Sequence, residues 1–306
     1  MMKRRTLARA GALAGAAALT ITLASCSSGD AGDAGGSGDG ESKGTITLGY
    51  IPSWTDGLST AYLLEDQLGK LGYEVEMEEL TEPGPLYTGL ANGDVDVYPS
   101  AWPEVTHAAY MDQFGDDIDD LGAYYDNAKL TITVPSYVDI DSIEDLKGNA
   151  DRFGGKIIGI EPGAGLTGVT QDAMIPGYEL QDEYQLVTSS TTAMLAELRG
   201  AIEKEEDIVV TLWRPFWPYG TFDLKDLEDP KGAMGDTEAL HFLGDADFAE
   251  EYPDAAELIA GIALDDTTYG SLEDMVVNEY GEGKEAEAID AWIEANPEAF
   301  PTLRAE

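Results

Sequence analysis

TITLGYIPSWTDGLSTAYLLEDQLGKLGYEVEMEEL, residues 45–80, carries the reading that decides the fold. Thr45 to Ile51 reads as an apolar strand, Leu58 to Leu71 as a helix, and Glu74 to Leu80 alternates like a second strand. Pro85 to Asn92 then reads as a short helix and Val95 to Tyr98 as a brief strand. Strand, helix and strand in alternation imply a parallel sheet. Further on, Lys129 to Val134 (KLTITV), stopped by Pro135, predicts a strand that crosses into a second unit. That unit reads as a helix near Ser142 to Lys147, a strand at Lys156 to Ile160 and a helix from Leu166. Strands at Tyr184 to Thr188 and Asp207 to Leu212 follow, with a helix at Thr192 to Lys204 between them. Ala239 to Phe242 supplies a return crossing, and Ala255 to Asn296 reads as helices, with Trp292 (in AIDAWIEAN) on a core face. Asp112 to Asp120 is an acidic run, read as a solvated face. The expectation is two α/β lobes, residues 44–134 plus 240–306 and residues 135–239, with the site in the cleft at the carboxyl ends of the strands.

The start of the chain reads as targeting sequence. Lys3, Arg4, Arg5 and Arg9 precede an alanine-rich apolar run from Ala10 to Ala24, too short to span a bilayer as a mature helix. Leu23-Ala24-Ser25-Cys26 resembles a bacterial lipobox, which implies a signal peptide over residues 1–25, cleavage before Cys26 and acylation of its thiol. With one cysteine in 306 residues, no intramolecular disulfide can form. Residues 26–43, rich in Gly, Ser and Asp, read as a flexible leash. The chain carries 17 basic and 60 acidic residues; removing residues 1–25 leaves 13 against 60, a net charge of −47. Nucleic acid is thereby disfavoured as a partner, because phosphates would be repelled. No H-E-x-x-H motif is present, and Asp139 to Asp145 lacks the glycine and glutamate spacing of an EF-hand. No enzymatic activity, cofactor or metal is expected.

Three of the five tryptophans follow strand-like runs and sit beside proline or glycine: Trp54 in GYIPSWTDG, Trp102 in DVYPSAWPEVTH and Trp213 in IVVTLWRPFWPYG. A single tryptophan more often packs in a core. Rings placed where strands end can line a cleft, and several such rings make an aromatic box for a quaternary ammonium cation. Trp54 and Trp102 fall in the first lobe and Trp213 in the second, so closure would bring the third ring onto the other two. Trp217 is read as packing behind Trp213, with a fourth wall of the box as the alternative. The stretch Gly159 to Thr167 (GIEPGAGLT) reads as strand, glycine turn and helix start, which exposes backbone N–H groups to an anion. His107, five residues after Trp102, can share the cleft and donate to an anion; His241, in EALHFLG, reads as a hydrogen-bonded structural residue. One part of the cleft would hold a cation and another a carboxylate.

GYIPSW at 49–54, SAWPEVTH at 100–107, GIEPGAGL at 159–166 and VVTLWRPFW at 209–217 with FDLKDLEDPKG at 222–232 together resemble the glycine betaine/proline betaine substrate-binding lipoproteins of osmoprotectant ABC importers. The resemblance covers nearly the whole mature body. It implies a two-lobed periplasmic-binding-protein fold, type II-like, each lobe a mostly parallel sheet with flanking helices. It also implies that Trp54, Trp102 and Trp213 box the trimethylammonium group, and that His107 and the backbone amides of Gly165 and Leu166 hold the carboxylate. Leu166 stands where isoleucine is commoner, without consequence for a backbone contact. The implied partners are a zwitterion such as glycine betaine, the transmembrane subunits of an ABC importer, and the membrane through a lipid anchor on the extracytoplasmic face, with the protein a monomer. Choline, carnitine or another compatible solute is the alternative ligand, and a structural or adhesive envelope lipoprotein the alternative outside transport.

Overall fold

The structure, a computed structural model, describes residues 42–297. The signal peptide (1–25), the lipidation at Cys26 and nearly all of the leash lie outside the described residues. Strand β1 (Thr45–Tyr50) leads through a turn into helix α1 (Thr55–Leu71), which returns to β2 (Glu74–Glu79). Helix α2 (Pro83–Asn92), β3 (Val97–Ala101), α3 (Ala108–Phe114) and the long β4 (Ile118–Pro135) follow. After β5 (Lys156–Ile158) comes α4 (Gly165–Val169), which continues through a π turn, Thr170–Met174, into α5 (Ile175–Gly177). Then come β6 (Gln185–Val187), α6 (Thr191–Lys204), β7 (Val210–Arg214), α7 (Pro218–Thr221), β8 (Leu224–Asp226) and β9 (Glu238–Asp245). Helices α8 (Phe248–Glu251), α9 (Pro253–Ala260), α10 (Asp266–Asp274) and α11 (Glu285–Ala295) close the described chain.

Among the described residues nine strands form one connected sheet, in the order β2-β1-β3-β9-β4-β7-β5-β6, with β8 beside β4. The βα units pair in parallel, β1 with β2 and β3, and β5 with β6 and β7. The crossing strands run antiparallel to them. β4 belongs to both wings: Ile118 to Ala128 pair with β9, whereas Lys129 to Thr133 pair with β7 and Thr133 to Pro135 with β8. The chain therefore crosses inside a single strand.

That strand begins eleven residues before the KLTITV run that sequence pattern picks out. Its first half, IDDLGAYYDNA, is poor in β-formers and its ladder with β9 is interrupted by register shifts, so strict alternation is lost. Asp120, from the run read as a solvated face, bonds there to His241 Nδ1 at 2.9 Å. Glu104 bonds to the other ring nitrogen at 3.3 Å, so His241 is the structural residue the sequence suggests.

Helix α1 shows how the fold positions the site. Leu63, Leu64 and Leu68 bury its core face, and Gly72, at φ 104°, ends it with a left-handed cap that an L side chain would resist. Its first turns are buried even where they are polar: Thr55, Asp56, Ser59 and Thr60 are all enclosed. A helix start with polar groups shut away from water marks a place where something else must satisfy them. In the C-terminal layer Trp292 is fully buried, and its Nε1–H donates to Ser271 Oγ at 2.8 Å. No helix among the described residues is long and apolar enough to cross a membrane.

Candidate functional site

Four loops at the carboxyl ends of strands build the site. After β1 the chain turns at Trp54, whose N–H donates to Ile51 O at 2.9 Å, and Trp54 becomes the N-cap residue of α1. After β3 comes Trp102, whose carbonyl accepts the N–H of His107 at 2.7 Å, making a compact loop that ends at the cap of α3. Glu238, at the start of β9, holds that loop from behind, accepting the N–H groups of Val105 (2.9 Å) and Thr106 (3.1 Å). After β5 the chain runs through Gly163 and Ala164 into the helix beginning at Gly165. From β7 comes Trp213, paired with Leu130 of β4 and stacked on Phe216, ring centres 3.8 Å apart.

Trp54, Trp102, Trp213, His107, Gly165 and Leu166, the residues singled out in the sequence, all line one cavity, of about 30 Å³. The rings are buried, Trp54 at 8 % exposure and Trp102 and Trp213 at 5 % each. Trp217 is absent from the lining; it packs on Phe216 and Phe222, behind the Trp213 stack, and faces a separate groove. A larger groove, of about 770 Å³, is lined by Ser53, Glu79, Glu82, Glu282 and Glu285 among others. Size favours the groove, but chemistry favours the smaller cavity, where aromatic faces and free donors converge.

The two halves of the cavity differ in character. Around the indoles, Asp56 supplies a buried carboxylate that accepts Ser100 Oγ–H at 2.7 Å and Trp102 Nε1–H at 3.1 Å. Burial pushes its pKa up, and those hydrogen bonds pull against the rise. Trp54 Nε1–H donates to Glu161 Oε2 at 3.1 Å. At the helix start in the same lining, the first N–H groups from Gly165 on have no intrahelical acceptor, as at every helix start. His107 lines the same cavity. Its Nδ1 accepts the N–H of Trp102 at 3.1 Å and lies 3.0 Å from the Tyr87 hydroxyl. A nitrogen that accepts a backbone N–H carries no proton, so the proton of the neutral ring sits on Nε2. Burial lowers the His107 pKa to about 3, which keeps the ring neutral. It offers one N–H, not a charge.

Glycine at 165 is dictated by how closely two loops approach. A Cβ there would lie 1.8 Å from the carbonyl oxygen of Thr106. The helix start and the Trp102–His107 loop can meet only where the side chain is missing. Sequence reasoning missed Asp56, Glu161 and Glu238. Asp56 reads as an acid in the first turn of a helix, an ordinary dipole partner. Glu161 lies inside the quoted GIEPGAGL motif, yet nothing in the sequence distinguishes it from the other acids.

The substrate-binding domain model of ABC-type glycine betaine transport systems matches residues 44–295. Over 146 residues the chain is 39 % identical to the glycine betaine/carnitine transport binding protein GbuC of Listeria monocytogenes, a match spanning 46 % of each protein. The crystal structure of the glycine/betaine/L-proline-binding protein ProX from Borrelia burgdorferi superposes with a TM-score of 0.78 at 34 % identity, covering 86 % of this chain and 97 % of that one. Lactococcal OpuAC, in its closed conformation complexed with glycine betaine, gives 0.78 at 29 % identity over 85 % of this chain and 99 % of that one.

Proposed function

From the premise that the chain belongs to the substrate-binding domain family of ABC-type glycine betaine transport systems, we propose that it captures glycine betaine, or a close quaternary-ammonium solute, in the Trp54–Trp102–Trp213 cavity and delivers it to an ABC permease. The family is one of solute-binding transport proteins with a two-lobed α/β fold. The observation that carries the reading is the convergence, on one cavity, of three indoles with the neutral His107 N–H and the helix-start amides of Gly165 and Leu166. A trimethylammonium group fits the indole faces, and a carboxylate two bonds away meets donors only.

The energetics are sufficient. A desolvated cation over an indole gains on the order of 2 kcal/mol, so three rings sharing one cation give roughly 4–6 kcal/mol. Each charge-assisted hydrogen bond to the carboxylate adds roughly 1.5–3 kcal/mol. Against an association cost of at least about 4 kcal/mol, a micromolar Kd, about −8 kcal/mol, is reached. A zwitterion carries no net charge, so the acid excess of the chain, 60 acidic against 17 basic residues, neither draws it in nor repels it at long range.

The lobes are taken as residues 44–134 plus 240–306 and residues 135–239. Trp54, Trp102 and His107 then come from one lobe and Gly165, Leu166 and Trp213 from the other, so capture and closure are coupled. The mature protein is taken to be a monomer tethered to the extracytoplasmic face of the membrane by lipid on Cys26; Cys26→Ser should release it from the membrane fraction. Calorimetry with glycine betaine, proline betaine, carnitine and choline tests the function. Micromolar binding of glycine betaine is expected, and the absence of heat with every quaternary ammonium solute would refute the reading.

A further inference from the structure

Glu161 is 5 % exposed and does not line the cage, yet its carboxylate gathers four hydrogen bonds. Oε1 accepts Thr191 N–H at 2.8 Å and Ser53 Oγ–H at 3.3 Å. Oε2 accepts Thr191 Oγ1–H at 2.7 Å and Trp54 Nε1–H at 3.1 Å. Each oxygen therefore takes one donor from the start of α6, in its own lobe, and one from the β1–α1 corner of the other lobe. Its own backbone is fixed independently of that second lobe: Glu161 O accepts Ala164 N–H at 3.0 Å and Thr167 Oγ1–H at 2.9 Å.

We propose that Glu161 is a latch residue that couples lobe closure to assembly of the cage by orienting Trp54 from the opposite lobe. The proposal rests on the reading of the cavity as a quaternary-ammonium site. The Trp54 Nε1–H lies in the plane of the indole, so a fixed acceptor for it fixes rotation of the ring and hence which face meets the cavity. Trp54 lies nearly parallel to His107, 19° between planes with ring centres 6.1 Å apart. The cation wall and the anion donor are thus set in one arrangement. When the lobes part, Trp54 loses this acceptor while Glu161 keeps Thr191, so the carboxylate stays poised and only the ring is released.

Only a group with two acceptor oxygens serves this geometry. A glutamine has one acceptor and one donor end, so it must leave either Trp54 or Thr191 facing an N–H group. Other contacts between the same lobes do not involve Glu161, among them Gly163 N–H to Glu82 Oε2 at 3.1 Å and Tyr110 O–H to Gly163 O at 2.8 Å. Closure therefore keeps other support when Glu161 is changed, and the loss falls on Trp54.

The test is a double-mutant cycle on glycine betaine affinity and release rate, using Glu161→Gln and Trp54→Phe. Glu161→Gln should weaken binding about tenfold, as one hydrogen bond to a charged group is lost, mainly through faster release. In the Trp54→Phe protein, which has no Nε1–H, the same change should cost only about twofold. The Trp54 indole 1H–15N resonance, assigned by its absence in Trp54→Phe, should shift in Glu161→Gln; a role confined to supporting α6 would not move it. Equal losses in both backgrounds with an unshifted resonance would overturn the latch. If the wild type binds no quaternary ammonium solute, the reading of the cavity fails instead. The latch is then decided by small-angle scattering of the unliganded protein: Glu161→Gln should shift it toward the open form, and an unchanged profile would overturn it.

Discussion

On the proposed reading, the cation half and the anion half of the cavity are built by opposite means. The cation half consists of side chains: three indoles, two of which send their N–H to a buried carboxylate, Trp54 to Glu161 and Trp102 to Asp56. Trp213 is held instead by stacking on Phe216, and its Nε1 has no hydrogen-bond partner among the described residues. The anion half is mostly backbone, with one imidazole whose tautomer is itself set by a backbone N–H. Side chains define a shape that can be trimmed in steps. A backbone site depends on how closely two loops approach, so it should fail abruptly.

Breaking the backbone half should therefore give the largest effect. Gly165→Ala places a methyl group 1.8 Å from Thr106 O. Calorimetry should show glycine betaine affinity falling by about a hundredfold or more, roughly 2.7 kcal/mol. Binding within a few-fold of the wild type would show that the loops need not meet. On the side-chain half, Trp102→Ala should weaken binding by about tenfold or more, the loss of roughly 1.4 kcal/mol. Unchanged affinity would remove Trp102 from the cation wall.

A smaller effect sharpens the division between the halves. His107→Ala should weaken glycine betaine more than choline, because choline has no carboxylate to accept the Nε2–H. Equal losses for both ligands would take His107 out of the anion half. The smallest effect concerns pH. With its pKa lowered from 6.5 to about 3, His107 stays neutral in the folded protein, so replacing it by glutamine should leave the pH dependence of glycine betaine affinity between about pH 5 and 7 unchanged. A charged-imidazole site would instead bind more tightly toward pH 5. The sign for stability is separate: a depressed histidine pKa contributes fully above 6.5 and is lost as pH falls from there toward about 3. Thermal melts of the unliganded protein should show that decline, and His107→Gln should reduce its contribution.

Much of this arrangement is legible in the sequence, for local reasons. Trp54, Trp102 and Trp213 announce themselves because each ends an apolar run beside a turn residue, and Gly165 because it sits in a strand-to-helix turn. The first half of β4 is hidden because Asp119, Asp120, Gly122 and Asn127 break its alternation, while its bonds to β9 lie more than a hundred residues away. The buried carboxylates are hidden for a different reason. In a chain with 60 acidic residues, nothing local separates Asp56, Glu161 and Glu238 from acids on the surface. Their donors sit 46, 107 and 132 residues away in Trp102, Trp54 and Thr106. Burial by distant partners is a tertiary property.

The central claim is that one small cavity holds both ends of a quaternary-ammonium zwitterion. Titrating the protein with glycine betaine and with glycine, which share a carboxylate but differ in the trimethylammonium group, tests it most directly. One-to-one micromolar binding of glycine betaine with no measurable binding of glycine is the predicted result. Equal affinities, or no binding of glycine betaine, would contradict it.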